Sequence, residues 1–341
     1  MTGAGRYAEL AAAVRSFKAE IIHPSQIERL IEAGSLSETV NILTGGHVTT
    51  ADSSDLTPVE SYLIQRIIEI THRLAAYAPH DSRGLIKLFA ASYEFSCVKD
   101  ILKSIADEVE PEEAMRYVVP AGRFTLEKCK ELIESHNPTR VVETLGDEAL
   151  KRFVTPKLTG ERGGILAVLA VDQYYYNRLW SATNLPDPLD AQSARGLVGE
   201  AIDQLNILLS FRARLVGLDA RATSDMMIPV NYALGHAFSE LGEASNAQNL
   251  MRVLDKTPYA HSLELLGPIE DVAIGVERAL KRDHAISCLN AFAGSPFNVG
   301  LALAFLFLKN YELHDLFSVI NGKANNVPAE RVLESLILQR G

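Results

Sequence analysis

Three carboxylates stand at matching places in this sequence, each followed by an apolar run: Glu94, Asp203 and Glu312. Two carboxylates share acid–base work on one substrate bond when they lie within about 10 Å of each other. These three occupy equivalent positions of what reads as a repeated unit, so related packing holds them apart. The plain reading is of helix-packing acids satisfied by a neighbouring donor; contact with a partner protein is the alternative. Other chemistry-bearing patterns are missing. The glycine clusters at 2–5, 44–47 and 159–164 do not match GxxxxGK[ST] and do not follow a strand into a helix, so loop glycines are expected. The nine histidines are dispersed with no HExxH among them, and there is no GxSxG elbow. Cys97, Cys129 and Cys288 form no CxxC pair and read as buried free thiols of a reducing compartment. No catalytic residue, cofactor or metal is expected.

The elements that position these groups are helices. In 56–77 the apolar residues Val59, Leu63, Ile67, Ile70 and Leu74 step by three and four, which predicts one buried helical stripe. Thr57 is its expected N-cap, with Pro58 in the first turn. The run stops before Ala78-Pro79, where proline forbids continuation. Similar runs cover 8–19, 85–108, 165–182, 191–218, 230–241, 269–281 and 301–321, with a short last helix at 328–338. More than half the chain should be helical, with essentially no sheet. Exposed linkers are expected at 45–55 and 184–194.

A fourteen-residue stretch occurs three times without a gap, at 30–43, 132–145 and 241–254. Each begins and ends on Leu and carries Glu at its third position (Glu32, Glu134, Glu243). Apolar residues leading into proline precede each copy: Ile21-Ile22-His23-Pro24, Val118-Val119-Pro120 and Met226-Met227-Ile228-Pro229. After each copy an acid is expected to open a helix (Glu60, Asp172, Glu270), and a long helix bearing Glu94, Asp203 or Glu312 closes the unit. Gly217 reads as the residue that ends the second of these. The spacing predicts three helical units of roughly 110 residues, 1–112, 113–221 and 222–341, packed against one another.

Composition agrees with a packed helical protein: 341 residues, 47% hydrophobic and 22% charged. A net charge of −10 argues against free nucleic acid and against an electrostatic grip on anionic lipid. The longest apolar run, 299–308, is half of the ~20 residues that cross a bilayer. No signal-peptide pattern opens the sequence, and no membrane span is expected. Tyr174-Tyr175-Tyr176 with Arg178 and Trp180 is the aromatic concentration of the chain; inter-helix packing is the plain reading and a partner-binding anchor the other. Phe305-Leu306-Phe307-Leu308, apolar on both sides, reads as a central helix, with a protein contact as the alternative.

Several of these segments are similar to one family. Tyr7-Ala-Glu-Leu-Ala-Ala-Ala-Val14-Arg15-Ser-Phe-Lys18, followed by the 30–43 stretch, resembles the start of the C subunit of archaeal and bacterial V/A-type ATPases, whose vacuolar equivalent is lettered d. Asp172-Gln-Tyr-Tyr175-Tyr-Asn-Arg-Leu179 is similar to the family's acid-then-Tyr-Tyr helix. Asp203-x-x-Asn206-Ile207, with Arg212 and Arg214 behind it, resembles its acid-x-x-Asn-Ile segment and trailing basic residues. The chain departs from that pattern at Cys97 and Asp315, which stand where the second unit has Asn206. The resemblance implies an all-α, funnel-shaped protein of three similar helical domains around a pseudo-threefold axis. It implies a non-catalytic rotor part at the cytoplasmic face, joining the D and F subunits of the central shaft to the membrane proteolipid ring. Glu94, Asp203, Glu312, Arg212, Arg214 and Tyr175 are then candidate partner contacts. A helical-repeat adaptor for unrelated proteins, an open superhelix with a polar capping unit at each end, is the competing reading, and an enzyme whose active site matches no known motif is the third.

Overall fold

The computed structural model describes residues 3–49, 55–159, 163–264 and 272–338. Among them the chain is helical, without a named strand: α1 (Gly3–Lys18), α2 (Pro24–Glu32), α3 (Leu36–Thr44), α4 (Thr57–Tyr77), α5 (His80–Ala106), α6 (Pro111–Ala114), α7 (Leu126–Glu134), α8 (Pro138–Glu143), α9 (Glu148–Val154), α10 (Gly163–Ala182), α11 (Pro188–Leu215), α12 (Ala220–Met226), α13 (Ala237–Glu243), α14 (Ala247–Leu254), α15 (Ala260–Glu264), α16 (Val272–Ala291), α17 (Gly300–Ala324) and α18 (Ala329–Ser335). Ala121 and Phe124 form one isolated β-bridge.

Six long helices carry the architecture. Helix α4 packs on α5, α5 on α10, α10 on α11, α11 on α16, α16 on α17, and α17 returns to α4; α1 lies against both α4 and α17. The predicted stripe of α4 is buried at Val59, Leu63, Ile67, Ile70 and Leu74. Phe305 and Phe307 are core residues of α17, as expected of a central helix. The apolar interior falls into three clusters that mix distant parts of the chain. One joins Ile27, Leu30, Val59 and Ile68 to Leu313, Leu316, Ile320 and Val332.

Local chemistry explains where several helices begin and end. Gly217 takes φ +69° behind α11, with Leu218 N–H on Ala213 O at 2.9 Å and Gly217 N–H on Arg214 O at 3.2 Å, a Schellman ending. Five expectations need correction. Thr57 is the first residue of α4 rather than its cap; Asp55 Oδ1 accepts the Thr57 N–H, and the Thr57 hydroxyl donates to Arg116 O. The linker expected at 184–194 ends at 187, because Asp187 caps α11 by accepting from Leu189 and Asp190 N–H with Pro188 behind it. Asp172 lies inside α10 rather than opening it; the helix starts at Gly163. There Gly164 is no loop glycine, since a Cβ would meet Ala106 Cβ at 2.1 Å. Residues 230–236 are irregular and α13 begins only at Ala237; their backbone groups are held by side chains of α11, described below. Glu270 lies outside the described residues.

Candidate partner-binding site

The thrice-repeated stretch is a helix–cap–helix module. Its first half ends α2, α7 or α13, and its second half forms α3, α8 or α14. The sixth residue is the N-cap in every copy: Ser35 Oγ accepts from Glu38 N–H at 3.2 Å, Asn137 Oδ1 from Arg140 N–H at 3.1 Å, and Asn246 Oδ1 from Asn249 N–H at 2.9 Å. The opening leucines Leu30, Leu132 and Leu241 are buried, whereas Glu32, Glu134 and Glu243 are exposed. A shared cap three residues before the N–H it binds is visible in the sequence, yet the identical Leu and Glu positions draw the eye first.

Each module is tied to a long helix by the acids singled out above. Glu94 on α5 accepts Arg123 N–H at 3.0 Å and Arg123 Nε at 3.1 Å, while Arg123 Nη1 reaches Leu145 O at 2.9 Å. Asp203 on α11 accepts Tyr232 N–H at 3.1 Å, Ala233 N–H at 2.6 Å and the Tyr259 hydroxyl at 2.9 Å. Glu312 on α17 accepts Ile22 N–H at 2.5 Å, 290 residues away in the chain, and is ion-paired with Lys309. The three carboxylates therefore perform one task, gripping the backbone that leads into a module. Each is engaged by a different stretch of backbone, at Arg123, at Tyr232 and Ala233, and at Ile22. Burial raises the Asp203 carboxyl above its ordinary range, opposed by the backbone N–H groups of Ala233 and Tyr232 and by Tyr259.

The position three residues later repeats the device twice. Asn206 accepts Ile228 N–H at 2.8 Å and donates to Ile228 O and Val230 O. Asp315 accepts Ile337 N–H at 2.7 Å and Leu338 N–H at 2.9 Å. In the corresponding place on α5, Cys97 meets the thiol of Cys129.

The other candidates are engaged internally or on the surface. Tyr175 is buried and donates to Leu88 O at 3.2 Å, while Tyr174 donates to Asp147, which also holds Arg178. Arg214 staples the end of α11 to Leu218 O at 2.6 Å and Gly242 O at 3.2 Å, and also contacts Thr223. Arg212 is about half exposed and pairs with Glu277 at 2.6 Å, which Lys281 also contacts at 2.6 Å.

A cavity of ≈ 420 Å³ is lined from α4, α5, α16 and α17, with Glu60, Tyr93, Asp100, Lys281, Asn310 and His314 among its walls. Burial pushes the Asp100 carboxyl up to about 6 against the pull of Lys99 and Lys103, with Asp172 and Glu60 adding to the rise. Glu60 is raised too, by burial first. Lys99 answers Asp172 at 2.7 Å. Among the described residues no group of His, Cys, Asp and Glu is placed to hold a metal ion, and no helix is long and apolar enough to cross a membrane.

The chain is similar along most of its length to proteins named as the C subunit of A-type ATP synthases. That of Methanocaldococcus jannaschii is 25% identical, covering 97% of this chain and 86% of its own length. That of Methanosphaera stadtmanae is 24% identical over 96% and 86%. That of Pyrococcus abyssi is 21% identical over 95% and 88%. The family model for the ATP synthase (C/AC39) subunit matches residues 10–335, so this chain belongs to that family of ATP synthase subunits.

Proposed function

We propose that this chain is a non-catalytic central-stalk component of a rotary V/A-type ATP synthase. Its three helical units, 1–112, 113–221 and 222–341, stand around a pseudo-threefold axis as a funnel. The funnel receives the D and F subunits of the shaft and rests on the membrane proteolipid ring at the cytoplasmic face. Proton or sodium flow is thereby linked to ATP synthesis or hydrolysis. The observation that carries this reading is the cycle of carboxylate grips. Glu94 and Asp203 each hold backbone further along the chain, and Glu312 reaches back to Ile22, as three units closing on themselves require. An open array of repeats would leave its first and last modules unpaired. Stiffness supports the role as well, since close-packed helices transmit strain. The net charge of −10 suits a basic shaft tip, and exposed charges such as Arg212 tune association. The six candidate residues then divide: Glu94, Asp203, Glu312, Tyr175 and Arg214 shape the socket, and the half-exposed Arg212 is available to a partner.

Native mass spectrometry after co-expression with the matching shaft and ring proteins tests this reading. A one-to-one complex with the shaft pair and one copy per solubilised ring is expected. A folded, helical monomer that ignores both would overturn it.

A further inference from the structure

Cys97 on α5 and Cys129 on α7 place their sulfur atoms 3.5 Å apart, and both side chains are buried. A disulfide needs about 2.05 Å between the sulfurs, so an approach of roughly 1.5 Å completes the bond. The two helices already pack together. Cys97 also stands in the wall of the ≈ 420 Å³ cavity, which gives a small reagent a path to the pair. The setting differs from the matching places on α11 and α17. There Asn206 and Asp315 clamp backbone N–H groups, while on α5 the polar clamp is replaced by two thiols. Cys288 is a natural control: it is buried against His284 Nε2 at 3.9 Å, and no second thiol adjoins it.

We propose that Cys97 and Cys129 are an oxidation site, closing to a reversible disulfide within the folded chain and locking α5 to the module that begins at α7. Hydrogen peroxide is the co-reactant considered. Either sulfur can donate in the S–H···S contact between them, and Cys129 is taken as the thiol that ionises first. Its thiolate attacks one peroxide oxygen to give a sulfenic acid, and the hydroxide released takes a proton and leaves as water. Cys97 then gives up its proton and attacks the sulfenic sulfur; the S–S bond forms and a second water departs. The two thiols lose two electrons and the peroxide gains them. Dithiothreitol reverses the bond by thiol exchange.

The test treats the folded wild-type chain with peroxide, then unfolds it, blocks remaining thiols and measures intact mass and peptides. The expected product is lighter by two hydrogen atoms, keeps a single blockable thiol at Cys288, and yields a linked Cys97–Cys129 peptide that dithiothreitol separates. Closing a loop with a separation of 32 residues should raise Tm by about 5 °C over the reduced protein. The Cys129→Ser chain should yield no link, and Cys288→Ser should yield it undiminished. Oxygen adducts on Cys97 or Cys129 without the linked peptide would overturn the proposal. So would three blockable thiols after exposure that oxidises the guanidinium-unfolded chain.

Discussion

Replacing Asp203 by alanine tests the central structural claim, that these acids grip backbone. The carboxylate is fully buried and accepts three hydrogen bonds, from Tyr232 N–H, Ala233 N–H and the Tyr259 hydroxyl. A buried donor left without a partner costs about 1–3 kcal/mol, so three orphaned donors set an upper range of about 3–9 kcal/mol. Two effects pull the figure down. The carboxyl group is raised by burial, so removing it relieves the cost of holding a charge out of water. The 230–236 loop can also relax toward solvent and rehydrate its N–H groups. A net loss of about 3 kcal/mol is expected. For 341 residues the unfolding entropy is about 0.7 kcal/mol per degree, so Tm should fall by ~4 °C. Asp203→Asn keeps an acceptor oxygen but turns an NH2 toward a donor, and should lose about half as much.

Urea unfolding followed by circular dichroism, with a fixed m-value, measures the difference. Asp203→Ala within about 0.5 kcal/mol of wild type, the range of ordinary surface changes, would refute the reasoning. So would an asparagine variant as weak as alanine, since the acceptor would then contribute nothing.

Two further outcomes follow from single sites. Gly122 has φ +58°, and a Cβ there would meet Glu94 Oε1 at 2.5 Å; Gly122→Ala should lower stability by about 1–2 kcal/mol in the same assay, and an unchanged midpoint would contradict this. Glu200 is pushed up to about 7, chiefly by burial, with Ser287 opposing and Asp283 and Asp203 adding. A carboxyl whose folded value is raised contributes stability that is full below its unfolded value near 4.5 and lost as pH rises through 7. Glu200→Gln should therefore flatten the decline in Tm between pH 4.5 and 8 by an amount worth at most about 3 kcal/mol, and parallel curves for the two proteins would speak against it.

Helix content was legible because helices announce themselves over short distances. The stripe of α4 and the Gly217 ending involve residues within a few positions of one another; the caps at Ser35, Asn137 and Asn246 are as local, yet the sequence reading passed over them. The repeat also marked Glu94, Asp203 and Glu312 as equivalent. What they grip was not legible, since each holds at least one backbone N–H, a group that every residue but proline carries and no residue type signals. The same blindness produced the helix expected over 230–241. Its apolar spacing is helical, but Asp203 and Asn206 offer residues 228–233 hydrogen bonds that a helix would forbid.

Among the three carboxylate grips, the one that returns to the start of the chain is made by Glu312 on α17, and this makes one join unlike the others. Glu94 and Asp203 hold N–H groups 29 residues further along a continuous chain. On α17 the two clamps hold separate stretches: Glu312 takes Ile22, while Asp315 takes Ile337 and Leu338. Asn206 and Asp315 each hold an N–H 22 residues on, so their variants form a matched pair. Behind Ile228 the chain continues into residues still gripped by Asp203. Past Leu336, whose carbonyl oxygen Arg282 holds at 2.6 Å, the grip on Ile337 and Leu338 N–H is that of Asp315. Asp315→Ala should consequently raise amide exchange at 337–338 at least tenfold, a loss of about 1.4 kcal/mol of local protection, with the Ile22 amide following because the facing α17 surface loosens. Asn206→Ala should lower global stability while leaving 228–233 exchanging only through whole-chain unfolding. Equal local exchange in the two variants, read by mass spectrometry at matched stability, would mean that α17 is not the seam. The cycle would then be as strong there as at its continuous joins.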